Sequence, residues 1–287
     1  MFYSYYRGWD LRENIQLMCM QHEPDKSGNL ILKELHGHFH VIGDVHGCFD
    51  ELLVLLQKLG YEVYDDKNTG KYRVTPQEGS MAVFVGDLVD RGPNSPEVLR
   101  LVMDMVEQDV ALCVSGNHDD KLYRKLMGRN VKVRHGLEVT MAQLENYDKA
   151  FIDRVREFLG HLPHHIILDD GRLVVAHAGL EERLHGRHSK SVRDLCLYGP
   201  TTGEHDAHGL PIRLDWAADY SGVAVVVYGH TPVRQPSWKN NTINIDTGCV
   251  FGGKLTALTY PDHIITTVEA FDTYAESIRP FLLPTAH

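Results

Sequence analysis

"VIGDVHGCFDELLVLLQKLG", residues 41–60, decides how this chain folds. Val41 and Ile42 read as the end of a buried strand, and Leu52, Leu55, Leu56 and Leu59 recur at helical spacing. Gly43, Asp44, Val45, His46 and Gly47 lie between them. A strand that passes through a glycine-flanked turn straight into a helix predicts an α/β unit. Glycine suits the tight turn and aspartate suits the start of a helix. One Asp-x-His alone is therefore as well explained by the turn as by chemistry.

The same junction recurs. "MAVFV" (81–85) runs into Gly86-Asp87-Leu88-Val89-Asp90-Arg91-Gly92, and "VALCV" (110–114) into Ser115-Gly116-Asn117-His118-Asp119. "RLVVA" (172–176) runs into His177-Ala178-Gly179, and "AVVVY" (224–228) into Gly229-His230-Thr231-Pro232. In α/β sheets the C-terminal ends of parallel strands share an edge, where ligands bind. Side chains far apart in sequence then converge. Asp44, His46, Asp87, Asn117, His177 and His230 offer carboxylates, imidazoles and an amide oxygen. That nitrogen and oxygen set suits Mn²⁺, Fe or Zn²⁺ better than a thiolate site does. Six ligands exceed what one catalytic ion with an open position uses, so two divalent ions sharing one carboxylate are expected.

The other expected strands are 38–42, 164–168, 242–245, 254–260 and 263–269. Asp169-Asp170-Gly171 and Pro261-Asp262 are read as hairpin turns. Expected helices are 48–59, 95–107, 119–127, 137–145 and 148–159. Residues 1–37 read as an N-terminal extension to a single domain of 38–287. That domain carries an inserted helical region at about 119–160 and a long ordered loop at about 185–220.

Composition narrows the class. With 43% hydrophobic and 24% charged residues, the 287-residue chain matches a globular protein. No apolar run is long enough for a membrane span. Arg7, Asp10, Arg12 and Glu13 interrupt any signal-like start, so a cytoplasmic location is expected. Five scattered cysteines without a C-x-x-C give neither a disulfide framework nor a thiolate zinc site. The net charge of −10 argues against extended binding of duplex DNA. One stretch departs from it: Lys121, Arg124, Lys125, Arg129, Lys132 and Arg134 are six basic residues with no acidic one among them. Following Asn117 and His118 so closely, they are expected to border the metal cleft and draw an anionic substrate.

Taken in order, Gly43-Asp-Val-His-Gly, Gly86-Asp-Leu-Val-Asp-Arg-Gly, Gly116-Asn-His-Asp, His177-Ala-Gly and Gly229-His resemble the motifs of the calcineurin-like metallophosphoesterases, in their phosphoprotein-phosphatase-type branch. The resemblance spans about 38–270. It implies a four-layer α/β/β/α sandwich and a dinuclear centre. Asp44, His46 and Asp87 would bind one metal, and Asp87, Asn117, His177 and His230 the other. Asp87 would bridge, and a metal-bound hydroxide would attack phosphorus. Arg91 would hold phosphate oxygens, His118 would protonate the leaving group, and Asp90 would orient His118.

Residues 135–144 ("HGLEVTMAQL"), 174–187 ("VVAHAGLEERLHGR"), 197–216 and 228–260 resemble the phosphatase module of bacterial polynucleotide kinase-phosphatases. This implies removal of 2′- or 3′-phosphates, or opening of 2′,3′-cyclic phosphates, at nucleotide or RNA ends. Lys125, Arg129, Arg213 and Asp246, with Arg91, are the candidate substrate contacts. Two alternatives stand beside that reading. Serine/threonine phosphatases share the metal motifs, but "LDWAADYSG" (214–222) departs from their Trp-Ser/Ala-Asp-Pro segment. Dinucleoside tetraphosphatases of the symmetrical kind typically carry Gln where His46 stands. Thr247, Cys249, His185 and His188 are read as loop structure rather than chemistry.

Overall fold

The computed structural model describes residues 29–278. Two sheets stack face to face. One has six strands in the order Asn29–Leu32, His165–Leu168, Leu173–Ala176, Val225–Tyr228, Thr242–Asn244, Ser237–Lys239. The other has five: Ile264–Glu269, Lys254–Tyr260, His38–Ile42, Ser80–Phe84, Ala111–Cys113. Alternate side chains of the inner strands meet between the sheets. Phe39, Val41, Val83, Val85, Ile166, Val175, Val227, Ile243 and Leu258 are all buried there.

The helices are α1 (Phe49–Lys58), α2 (Ser95–Glu107), α3 (Asn117–Leu126), α4 (Leu137–Leu144), α5 (Lys149–His161) and α6 (Lys190–Tyr198). The first five cover the outer face of the five-stranded sheet. Their apolar stripes account for this: Leu52, Leu55 and Leu56 of α1 and Val98, Leu99, Val102 and Met105 of α2 enter one core with Phe84, Cys113 and Ala257. Helix α6 and the short turn Trp216–Asp219 cover the six-stranded sheet. The result is the expected α/β/β/α layering.

Parallel pairing sets the position of the site. His38–Ile42 pairs parallel with Ser80–Phe84, and that strand with Ala111–Cys113. Val225–Tyr228 pairs parallel with both Leu173–Ala176 and Thr242–Asn244. The strand ends expected to carry Asp44, Asp87, Asn117, His177 and His230 therefore gather at one edge of the sandwich.

The structure departs from the sequence reading in four places, one of them the exposed edge strand Ser237–Lys239, for which the reading has no strand. Asn29–Leu32, placed in an extension, pairs parallel with His165–Leu168 and buries Leu32; its apolar run, Leu30 to Leu32, is only three residues long and sits between polar stretches. Residues 1–28 lie outside the described ones. The stretch read as a long loop at 185–220 holds α6 and a hairpin of Thr201–His205 with Pro211–Arg213. Helix α6 begins at Ser189, whose hydroxyl accepts from Val192 N at 3.1 Å. It buries only Val192, Cys196 and Leu197, too few to reveal its period. A further hairpin, Glu62–Asp66 with Lys71–Thr75, has no counterpart in the reading because charged residues interrupt both short strands; Tyr72 and Val74 anchor it.

Candidate metal centre

The turn after His38–Ile42 works by close approach. A Cβ on Gly43 would stand 2.5 Å from Ile245 O, so only glycine lets the two sheets' loops touch there. The same holds at Gly116, where a Cβ would meet both Asp87 N and Asp87 Oδ1 at 2.2 Å. His46, Asp87, Asp90, Arg91 and His230 all lie at positive φ, between 45° and 75°. Such conformations are costly for these residue types and persist where the surroundings fix them.

Two clusters result, and they share Asp87. His46, Asp87 and His118 form one, and Asp87, His177 and His230 the other; within each, the ligand atoms lie within 4.8 Å of one another. His46 Nε2 is 3.5 Å and His177 Nε2 3.4 Å from Asp87 Oδ2. Asn117 Oδ1 and His230 Nδ1 each lie 3.0 Å from His177 Nε2. Asp44 stands beside these groups: its carboxylate accepts from His230 N at 3.1 and 3.3 Å. All six expected ligands thus meet at one edge.

The hydrogen bonds test whether a cation fits. His177 Nδ1 donates to Val85 O at 3.0 Å, and His46 Nδ1 donates to Val89 O at 2.7 Å. The His177 Nε2 lone pair then faces the Asn117 and Asp87 oxygens, an arrangement that a cation between the partners would relieve, while the His46 Nε2 lone pair accepts from the Arg91 guanidinium. His230 Nε2 is buried with no partner. Burial holds His177 down at about 3, and burial with the neighbouring Arg91 holds His46 well below the usual imidazole range. Neutral imidazole is the ligand form. Burial lifts Asp87 to about 7 and, with Asp246 and Asp87 nearby, lifts Asp44 well above the carboxylate range. Divalent ions would relieve both. The residues present could hold two.

The remaining candidates fall into place around this centre. Asp90 is fully buried. It accepts from His118 Nδ1 at 2.6 Å and from the Thr140 hydroxyl at 2.8 Å. Burial raises Asp90 to about 6. Arg91 donates to His46 Nε2 at 2.6 Å and to His118 Nε2 at 2.9 Å, bridging the two imidazoles. Asp246 is 3% exposed and accepts from Gly248 N at 3.0 Å, so it braces its own turn behind Asp44 and does not line the cleft. Thr247 donates to Lys254 O, Cys249 is core, and His185 bonds Leu180 O. His188 is exposed.

A cleft of about 750 Å³ opens from Asp87, Asn117, His118 and His230. The basic run borders it through Lys121, Arg124, Lys132 and Arg134, joined by Arg213 from the opposite hairpin. Lys125 and Arg129, the two cations singled out from sequence, are not among its lining residues. They occupy other faces of the last turn of α3 and the bend after it, a direction that spacing alone does not fix. Two supporting residues escaped the sequence reading. Asp119 is fully buried, and its carboxylate takes Leu88 N at 3.0 Å and Gly116 N at 2.9 Å, tying two ligand loops together. Thr140 reaches Asp90 from α4, fifty residues away. Only Asp119 had a signal, its place in Gly-Asn-His-Asp.

A family model described as calcineurin-like phosphoesterase matches residues 37–234. The chain belongs to this family. It is a metal-dependent phosphoesterase, and so a hydrolase. Bis(5'-nucleosyl)-tetraphosphatase PrpE [asymmetrical] of Anoxybacillus flavithermus is 48% identical over 85% of this chain and 99% of its own. The Bacillus subtilis protein of that name is 48% identical over 84% of this chain and 99% of its own. The resemblance to the RNA-repair module is thus corrected: these relatives carry a tetraphosphatase name. A crystal structure of a candidate diadenosine tetraphosphatase superposes with a TM-score of 0.61 at 27% identity, covering 86% of this chain and 99% of that one. A Saccharomyces cerevisiae serine/threonine phosphatase, at 17% identity and TM-score 0.60 over 94% of this chain and 92% of its own, shares the fold. No helix among the described residues is long and apolar enough to cross a membrane.

Proposed function

We propose that this phosphoesterase cleaves bis(5'-nucleosyl) tetraphosphates asymmetrically, giving a nucleoside triphosphate and a nucleoside monophosphate. The observation that carries the reading is the cleft. Its inner end is the Asp/His cluster, its volume is about 750 Å³, and a row of cations lines one wall. A phosphorylated hydroxyl needs one phosphate subsite, whereas a tetraphosphate needs a row of cations. The names of the near-half-identical relatives support the same substrate. His46 stands where symmetrical tetraphosphatases typically carry Gln, which separates the chain from that group. The RNA-end reading rested on the likeness of four segments to the RNA-repair module, and the tetraphosphatase names of the relatives weigh against it; of the contacts offered for it, Lys125 and Arg129 do not line the cleft.

Asp44, His46 and Asp87 would hold one divalent ion and Asp87, Asn117, His177 and His230 a second; the mixed donor set suits Mn²⁺, Fe or Zn²⁺, and Mn²⁺ is the ion we assign first. Such ions supply Lewis acidity and water of lowered pKa at neutral pH. The chain's own groups do the rest. Arg91 turns from the two imidazoles to the phosphate oxygens, which its planar fork matches. That frees His118 Nε2 to face the cleft, with Nδ1 anchored on Asp90. Burial and the Arg91 charge hold His118 neutral; with Arg91 turned away, Nε2 takes up a proton from water, giving an imidazolium paired with Asp90, and that proton passes to the leaving oxygen. Incubation with Mn²⁺ and diadenosine tetraphosphate, a 2′,3′-cyclic nucleotide or a phosphoserine peptide tests this. The tetraphosphate should be turned over fastest; a clear preference for either of the others refutes the reading.

A further inference from the structure

The cleft has two unlike walls, and the catalytic groups are not placed evenly between them. His118 and Lys121 stand three residues apart on α3, on one face, and both line the cleft. Lys121 Nζ donates to Arg134 O, pinning the segment 128–136 to that helix. The same segment ends on Arg91: Arg91 N donates to Gly136 O at 3.4 Å, and a Cβ on Gly136 would sit 2.5 Å from Arg91 Cγ. The basic wall therefore starts at His118 and Arg91 and leads outward. Along it Arg124 is already paired with Asp120 at 2.8 Å. Lys132 and Arg134 are exposed and have no ion pair among the described residues. The other wall carries Phe251, Tyr274 and Ile278, with Glu276 beside them. The Arg91 guanidinium lies 5.2 Å from the Phe251 ring centroid.

We propose a direction for the cut, resting on the tetraphosphatase reading. The triphosphate part of the substrate lies along Lys121, Lys132 and Arg134 and is the leaving group. The nucleoside whose single phosphate is attacked rests its base against Phe251 and Tyr274. In this pose three phosphates meet Lys121 and the exposed Lys132 and Arg134, three cations against the one carboxylate Glu138 on that wall, and the base meets aromatic faces. The reversed pose sets three phosphates against Phe251, Tyr274, Ile278 and the Glu276 carboxylate, with Arg213 of the hairpin the lining cation outside the basic wall, and leaves Lys132 and Arg134 unused. The side of the acid agrees: His118 stands at the start of the basic wall, where the leaving oxygen must be. A water oxygen bonds to the phosphorus next to the first nucleoside. The bond from that phosphorus to its bridging oxygen breaks, and the bridging oxygen takes the proton and departs on the triphosphate. Diadenosine tetraphosphate and water thus give adenosine monophosphate, which keeps the water's oxygen, and adenosine triphosphate.

Hydrolysis by the full chain with Mn²⁺ in water enriched in heavy oxygen, followed by mass spectrometry of both products, tests this. The label is expected in the monophosphate alone. Label in the triphosphate overturns the direction while leaving the tetraphosphatase reading intact. Diphosphate products, or none, overturn both. A second arm is the double variant Lys132→Gln/Arg134→Gln. Its KM for the tetraphosphate should rise at least about tenfold more than its KM for p-nitrophenyl phosphate, the scale of one lost hydrogen bond to a charged group. Equal rises for the two substrates overturn the assignment of the basic wall.

Discussion

Asp87 is the residue on which the centre turns. It belongs to both ligand clusters, and its Oδ1 is held by the His118 backbone N–H at 2.9 Å at the start of α3. Asp87→Asn keeps the shape and removes the charge that two dications share. We predict that metal content falls and that turnover drops below about a tenth of wild type; a variant with full occupancy and higher turnover would refute the shared-ligand assignment. His118 is read differently, as an acid. His118→Ala should lower hydrolysis of an ester with a poor leaving group by roughly 10²–10⁴-fold. A nitrophenyl ester needs less protonation and should lose less. Equal losses would mean that His118 positions phosphate instead. The six candidate ligands, which the fold brings to one edge, were legible in the sequence because each follows a strand in a fixed short motif. Lys132 and Arg134 were not separable from Lys125 and Arg129, because a charge run does not say which members face inward.

At the scale of elements, the strand His165–Leu168 joins the first described strand to the body of the six-stranded sheet. His165 is fully buried, its Nε2 accepts from Gly186 N at 3.0 Å, and burial lowers it to about 4. The fold thus holds the neutral imidazole. A depressed histidine contributes stability above its unfolded value of 6.5, and that stability is lost as pH falls from 6.5 toward 4. His165→Gln keeps an acceptor and does not titrate. Urea unfolding of both proteins should show the wild type losing roughly 2 kcal/mol more than the variant between pH 7 and pH 5. Parallel pH profiles would mean that His165 is not held neutral. The elements that escaped sequence reading share one property: little buried apolar surface. Thr201–His205 and Pro211–Arg213 have no buried residue, and although Lys71–Thr75 alternates, with Tyr72 and Val74 buried, its five residues and the charged Glu62–Asp66 beside it give too short a period to stand out. The central strands, apolar on both faces between helices and the other sheet, were plain.

Across the whole molecule, a net charge of −10 surrounds a cleft with a cationic wall. That contrast focuses an anionic substrate, so kcat/KM for a tetraphosphate should fall as ionic strength rises, and more steeply than for an aryl phosphate, which carries fewer charges. A salt dependence common to both substrates would remove the steering role. The most direct measurement is product analysis of diadenosine tetraphosphate hydrolysis by the full chain, with Mn²⁺, after chelation, and in Asp87→Asn. We predict equimolar adenosine triphosphate and monophosphate with metal, near-complete loss after chelation that Mn²⁺ restores, and no recovery in the variant. Turnover that survives chelation, or adenosine diphosphate as the product, would contradict the account.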